Sequence, residues 1–166
     1  PMSLDFSILD IGVPDGASPA IAVSTATQPS QSRKKFVAPK LGADGFKWPV
    51  EGEIITEFGP STRGVHNDGV NIAANMGAPV IVSASGTVAF VGDNIKNFGK
   101  LVLVKHDGGI ITAYAHLDSI SVLEGDILAA GDAIGNVGAT GRVDRPQLHF
   151  EIRKSRQPID PRSLIS

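Results

Sequence analysis

Two short stretches carry the residue types with chemistry to offer. Residues 64–72 read Gly-Val-His-Asn-Asp-Gly-Val-Asn-Ile and present His66, Asn67, Asp68 and Asn71. Residues 146–151 read Pro-Gln-Leu-His-Phe-Glu and set His149 on an alternating strand pattern. Short polar groups two and four residues apart, facing a strand histidine, are the makings of a metal site, because imidazole and carboxylate are good donors to a divalent ion. Yet Asn67, Asn71 and Gln147 are carboxamides. A neutral amide oxygen is a poor zinc donor, brings no negative charge to offset the dication, and cannot carry a proton as a general base must. His66 and Asp68 form an alternative pair. In an extended chain they point to one face with Cα atoms about 6.5 Å apart, away from the face of Asn67 and Asn71. Extended, Asn67 and Asn71 themselves lie about 13 Å apart, so a site built on them needs a bend at Gly69.

Positioning these groups falls to short strands. From Phe46 onward glycines separate β-branched runs: Ile54-Ile55, Val80-Ile81-Val82, Thr87 to Val91, Leu101 to Val104, Ile110 to Thr112 and Ile120 to Val122. Asp107-Gly108-Gly109 between two such runs is a hairpin signal, and no window holds a helical period. Residues 46–166 are therefore expected to form an all-β domain, a small sandwich or barrel of short antiparallel strands, closed by Pro158 to Pro161 as an extended arm. Residues 1–45 read as a low-complexity tail. Four prolines interrupt it, a polar run spans Ser24 to Ser32, and Arg33-Lys34-Lys35 is a solubilising cluster. The tail is expected to pack on the domain or on a neighbouring copy through Phe6, Ile8, Leu9, Ile11 and Ile21 to Val23, and to be able to occupy the groove as an inhibitory segment. Pro1-Met2-Ser3 reads as the start of a fragment, so a missing export signal excludes nothing.

Composition removes several classes. A net charge of −2 over 166 residues gives no electrostatic footprint for nucleic acid. The absence of cysteine removes disulfides, thiolate metal sites and a cysteine nucleophile. No apolar run approaches the roughly 18 residues a membrane helix needs.

The ordered set of motifs resembles the lysostaphin-type (LytM) zinc metallopeptidases of peptidoglycan. The matching pieces are Phe58-Gly59, Gly69 to Ala74, Gly77 to Val80, Gly86 to Val88, Ala113 to Leu117, Gly125-Asp126, Gly138 to Gly141 and Leu148 to Glu151. The resemblance implies the LytM (duplicated-hybrid-motif-like) fold. It also places the metal positions at Asn67, Asn71 and His149, with His116 and Gln147 at the two further histidine positions. Only His116 and His149 keep the active pattern. A degenerate, non-catalytic member is implied, similar to murein-hydrolase activators, which regulate amidases or bind peptidoglycan during division in the bacterial periplasm. No cofactor is then expected. Asn67, Asn71, Tyr114, His116, Arg142, Arg145, Gln147 and His149 would line a groove for an amidase or a muropeptide. The competing expectation is a zinc-dependent endopeptidase using displaced ligands His66, Asp68 and His149.

Blander assignments complete the reading. His106 is expected to be structural. Gly131, Gly135, Gly138 and Gly141 are turns, since no Gly-Lys-Ser/Thr follows to cradle phosphate. The run Val122 to Asp132 resembles lipoyl- and biotinyl-type barrels, but the hairpin tip at residues 107–109 lacks the lysine such carriers modify.

Overall fold

The computed structural model describes residues 45–165; the expectations for the tail lie outside the described residues. Twelve strands follow in chain order. They are β1 (Glu53–Thr56), β2 (Gly59–Pro60), β3 (His66–Asn67), β4 (Val70–Ala73), β5 (Pro79–Ile81), β6 (Gly86–Ile95), β7 (Gly99–His106), β8 (Ile110–Ile120), β9 (Ile127–Leu128), β10 (Ala133–Val137), β11 (Gln147–Lys154) and β12 (Gln157–Ile159). The other regular elements among the described residues are 3₁₀ turns at Asp107–Gly109 and Pro161–Ser163. The all-β expectation is met.

One sheet runs β1-β4-β11-β8-β7-β6-β9, with β12 beside β11 and a β5–β10 arm joined to β8, while β2 and β3 form a separate ribbon. Each of these pairings is antiparallel. The hairpin at residues 107–109 is as expected, and Gly108 (φ 78°) and Gly109 (φ 72°) supply the left-handed backbone it needs. The C-terminal arm pairs more than expected: Gln157, Pro158 and Ile159 form β12 on β11 before the chain turns at Pro161.

The period of two decides which residues meet. In β4 and β11, Val70, Ile72, Leu148, Phe150 and Ile152 face a single core that also takes Val80, Ile134 and Val137 from the β5–β10 arm and Val82 just after β5. Asn71, Gln147, His149, Glu151 and Arg153 fall on the opposite face. Burying side chains such as Phe150 and Ile72 stabilises by about 1.5–3 kcal/mol each.

One irregularity controls the site. Val102 pairs with Tyr114, but the next pairing is Lys100 with Leu117, so three residues on β8 answer two on β7. At this bulge His116 adopts φ 65°. There β11 leaves β8, its last partner being Ala115, and β10 takes over opposite Leu117. His116 thus stands at a fork in the sheet.

Candidate functional site

A cleft of about 880 Å³ opens above the polar face of β4 and β11. Its floor holds Asn67, Asn71, His116, Gln147 and His149, with Phe98 beside them. Register explains the meeting: Asn71 pairs directly with His149 across β4 and β11. Gly69 brings β4 against β11, and a Cβ there would sit 2.2 Å from the Phe150 carbonyl oxygen and 2.7 Å from Glu151 Cγ. The bend expected at Gly69 is therefore a close approach of two backbones. Gly69→Ala is expected to cost roughly 2–3 kcal/mol in urea unfolding, the scale of overpacking a tight core.

The floor groups satisfy one another. Asn71 Nδ2 donates to Gln147 Oε1 (2.8 Å), and Asn71 Oδ1 accepts from Asn67 Nδ2 (3.2 Å) and lies 3.0 Å from His149 Nδ1. Gln147 Nε2 donates to the Arg145 carbonyl at 3.2 Å, and Asn67 Oδ1 accepts from the Gly69 N–H at 3.3 Å. Beneath them runs a charged chain. Glu151 Oε1 lies 2.8 Å from His149 Nε2, Arg153 Nε donates to Glu151 Oε2 at 2.9 Å, and Arg153 donates to Asp68 Oδ2 at 3.1 Å. Asp68 Oδ1 in turn meets His66 Nδ1 at 3.0 Å on the rim. Glu151 is fully buried.

This geometry answers the expectations residue by residue. Asn67, Asn71, His116, Arg142, Gln147 and His149 line one cleft. Tyr114 does not, which corrects the sequence reading: it is fully buried, its ring 5.4 Å from Phe150. Its hydroxyl accepts from the Ser83 N–H (2.9 Å) and from Thr112 Oγ1 (2.8 Å), and burial raises its pKa. Strict alternation would set Tyr114 and His116 on one face; the bulge separates them. Arg145 is exposed just beyond the lining residues, reaching the floor through its carbonyl. His66 lines the rim, but His66, Asp68 and His149 do not converge. Asp68 is turned to Arg153, and both His149 nitrogens face other partners. His106 is packed as expected, with Nδ1 donating to the Ser85 carbonyl at 2.7 Å.

The residues present do not fit zinc. Among the described residues no group of three or more His, Cys, Asp or Glu could hold a metal. The family positions offer one imidazole and two amides whose polar atoms already bond to each other, and zinc needs donors at about 2.0–2.2 Å.

Burial lowers the pKa of His116 to about 4, outweighing its hydrogen bond to the Thr140 carbonyl, with His149 nearby lowering it further. Burial lowers His106 as well. Both bind protons more weakly folded than unfolded, so stability is full above about pH 6.5, the unfolded value. It falls as pH drops toward 4, by about 3 kcal/mol for His116. Urea titrations from pH 7 to 4 should show this slope, and His116→Gln should remove the larger part of it.

Fold and site together define a lysostaphin-type domain whose metal position is taken by carboxamides. The chain belongs to peptidase family M23, whose model matches residues 65–161. It is 42% identical over 158 residues to the cell division protein DipM of Caulobacter vibrioides, covering 92% of this chain and 25% of that protein. It is 35% identical over 142 residues to the murein hydrolase activator NlpD of Salmonella dublin, covering 86% of this chain and 36% of NlpD. The chain thus spans about a quarter to a third of these curated relatives. Among solved structures, a zinc-containing peptidase from Vibrio cholerae matches with TM-score 0.64 and 32% identity, covering 69% of this chain and 38% of that one.

Proposed function

We propose that this domain is a non-catalytic M23 module that activates a peptidoglycan amidase in the bacterial cell envelope, using the cleft over Asn67, Asn71, His116, Gln147 and His149 as its partner-binding groove. The observation that carries the reading is the closed set of hydrogen bonds among Asn67, Asn71, Gln147 and His149. The three carboxamides cannot act as a general base and are poor donors to an ion that would lower the pKa of a bound water, whereas the set keeps the groove shaped and polar. The likeness to a murein hydrolase activator and to a division protein supports the same reading. Deeper decay of the site would have left unpaired polar atoms; among the described residues no buried side-chain polar atom lacks a partner.

The test uses dye-labelled peptidoglycan incubated with the chain, with a purified cell-wall amidase of the source bacterium, and with both. Dye release is expected above the amidase baseline in the mixture, and at background with the chain alone. Release by the chain alone that a chelator abolishes would instead support a peptidase.

A further inference from the structure

If the cleft is a partner-binding groove, as proposed above, its walls indicate what enters it. Each wall carries an arginine and a valine: Arg63 and Val65 on the β2–β3 turn, Arg142 and Val143 on the segment between β10 and β11. The first wall is held by Ser61, whose hydroxyl oxygen accepts from the N–H groups of Arg63 (3.3 Å) and Val65 (3.2 Å). The second is tied down where the Arg142 N–H donates to the Asn97 carbonyl at 3.0 Å. Val65 is 47% exposed, a large aliphatic side chain left open to solvent. Among the described residues neither guanidinium has an ion-pair partner. Asp144 is the one acid lining the cleft, so its mouth is basic on a chain whose net charge is −2.

The floor adds a hydrogen-bond acceptor that faces the cleft. His116 is 3% exposed, and its Nδ1 donates to the Thr140 carbonyl at 2.8 Å. That bond leaves Nε2 as the acceptor of the neutral ring, and since no buried side-chain polar atom among the described residues lacks a partner, Nε2 is open to the cleft.

We infer that the cleft takes an acidic, aliphatic segment of a protein partner. Its carboxylates meet Arg63 and Arg142, its aliphatic side chains sit between Val65 and Val143, and one N–H or O–H donates to His116 Nε2. A planar guanidinium binds a carboxylate through two parallel hydrogen bonds, which favours arginine in this role. Peptidoglycan stem peptides carry carboxylates but no large aliphatic side chains for a cleft lined by Ile55, Val65, Val143 and Phe98. The apolar walls therefore favour a protein.

The test measures binding of the full chain to the purified amidase at 50 and 500 mM NaCl, with sedimentation on purified sacculi as a second arm. Arg63→Glu/Arg142→Glu should weaken amidase binding roughly 100-fold at low salt and flatten its salt dependence, because the carboxylates then face like charge. Arg63→Gln/Arg142→Gln should fall between. His116→Phe should weaken binding about tenfold without changing the salt dependence. Both arginine variants change only exposed side chains and should unfold as wild type does. Wild-type salt dependence and affinity retained in Arg63→Glu/Arg142→Glu would overturn the inference while leaving the activator reading standing. Loss of sacculus binding alone in that variant would overturn it in favour of the wall. Amidase binding that the variant abolishes, but that never activates the enzyme, would support the docking site and sink the activator reading. A wild-type chain that binds no amidase overturns both.

Discussion

Changing Asn67 to His and Asn71 to Asp is expected to give a chain that holds one zinc ion through dialysis. In the wild-type structure the side chains of residues 67, 71 and 149 already converge, with Asn71 Oδ1 3.2 Å from Asn67 Nδ2 and 3.0 Å from His149 Nδ1. Glu151 holds His149 Nε2 at 2.8 Å, the outer contact that fixes the ring and aims the other nitrogen inward. The scaffold is therefore set for three donors, and what it lacks is their chemistry. A carboxylate at 71 restores the charge that offsets the ion; an imidazole at 67 restores a donor of suitable softness. Bound zinc contributes roughly 10 kcal/mol or more in well-formed sites, far above the few hydrogen bonds lost, each about 1 kcal/mol. Elemental analysis should read near one zinc per chain in the double variant and near zero in wild type. Adding Gln147→His places a proton-transfer group beside the ion, and only that triple variant is expected to cleave peptidoglycan alone. A correctly folded double variant that comes off the column metal-free would show that backbone placement differs from that of zinc-binding members.

The second large effect concerns stability. Glu151→Ala is expected to lower the melting temperature by roughly 10 °C or more, corresponding to about 3–5 kcal/mol. Glu151 is fully buried and lies between His149 and Arg153, whose guanidinium is itself buried. Removing the carboxylate leaves that guanidinium without its Nε partner in a region that excludes water, and breaking a buried pair costs far more than the pair contributes. Glu151→Leu combined with Arg153→Met, which removes both charges, should recover most of the loss. If the single and double variants melt together, the charged chain from His66 to His149 is not the stabilising feature the geometry makes it. The same chain links the rim to the floor, so Glu151→Ala should also disturb His149 and with it the groove.

These effects separate what each level of description supplied. The all-β class and the hairpin at residues 107–109 follow from alternation, glycine placement and the period of two. These are local rules that act within a few residues. The poor match of positions 67, 71 and 147 to a zinc site is legible too, because amide and carboxylate differ in charge and donor strength wherever they sit. The meeting of Asn71 with His149, in contrast, is implied by the family resemblance and rests on the register of β4 against β11. Alternation also places Glu151 and Arg153 on the face of His149, a signal present in Gln147-Leu148-His149-Phe150-Glu151-Ile152-Arg153 but visible only once the register with β4 is known.

The arrangement of the cleft required the folded chain. Tyr114 and His116 share a face in an ideal strand and are separated by a bulge at a sheet fork, which depends on β7, β10 and β11 competing for β8. Arg63 and Phe98 carry no motif; segments distant in sequence bring them to the cleft. Asp68 offered itself as a metal ligand and is instead held by Arg153, 85 residues away. Residue type and spacing fixed which chemistry is possible here, because donor strength and proton affinity belong to each side chain. Which groups meet, and which are spent on each other, was decided by long-range strand register, since hydrogen-bond partners lie within about 3 Å in space whatever their distance along the chain.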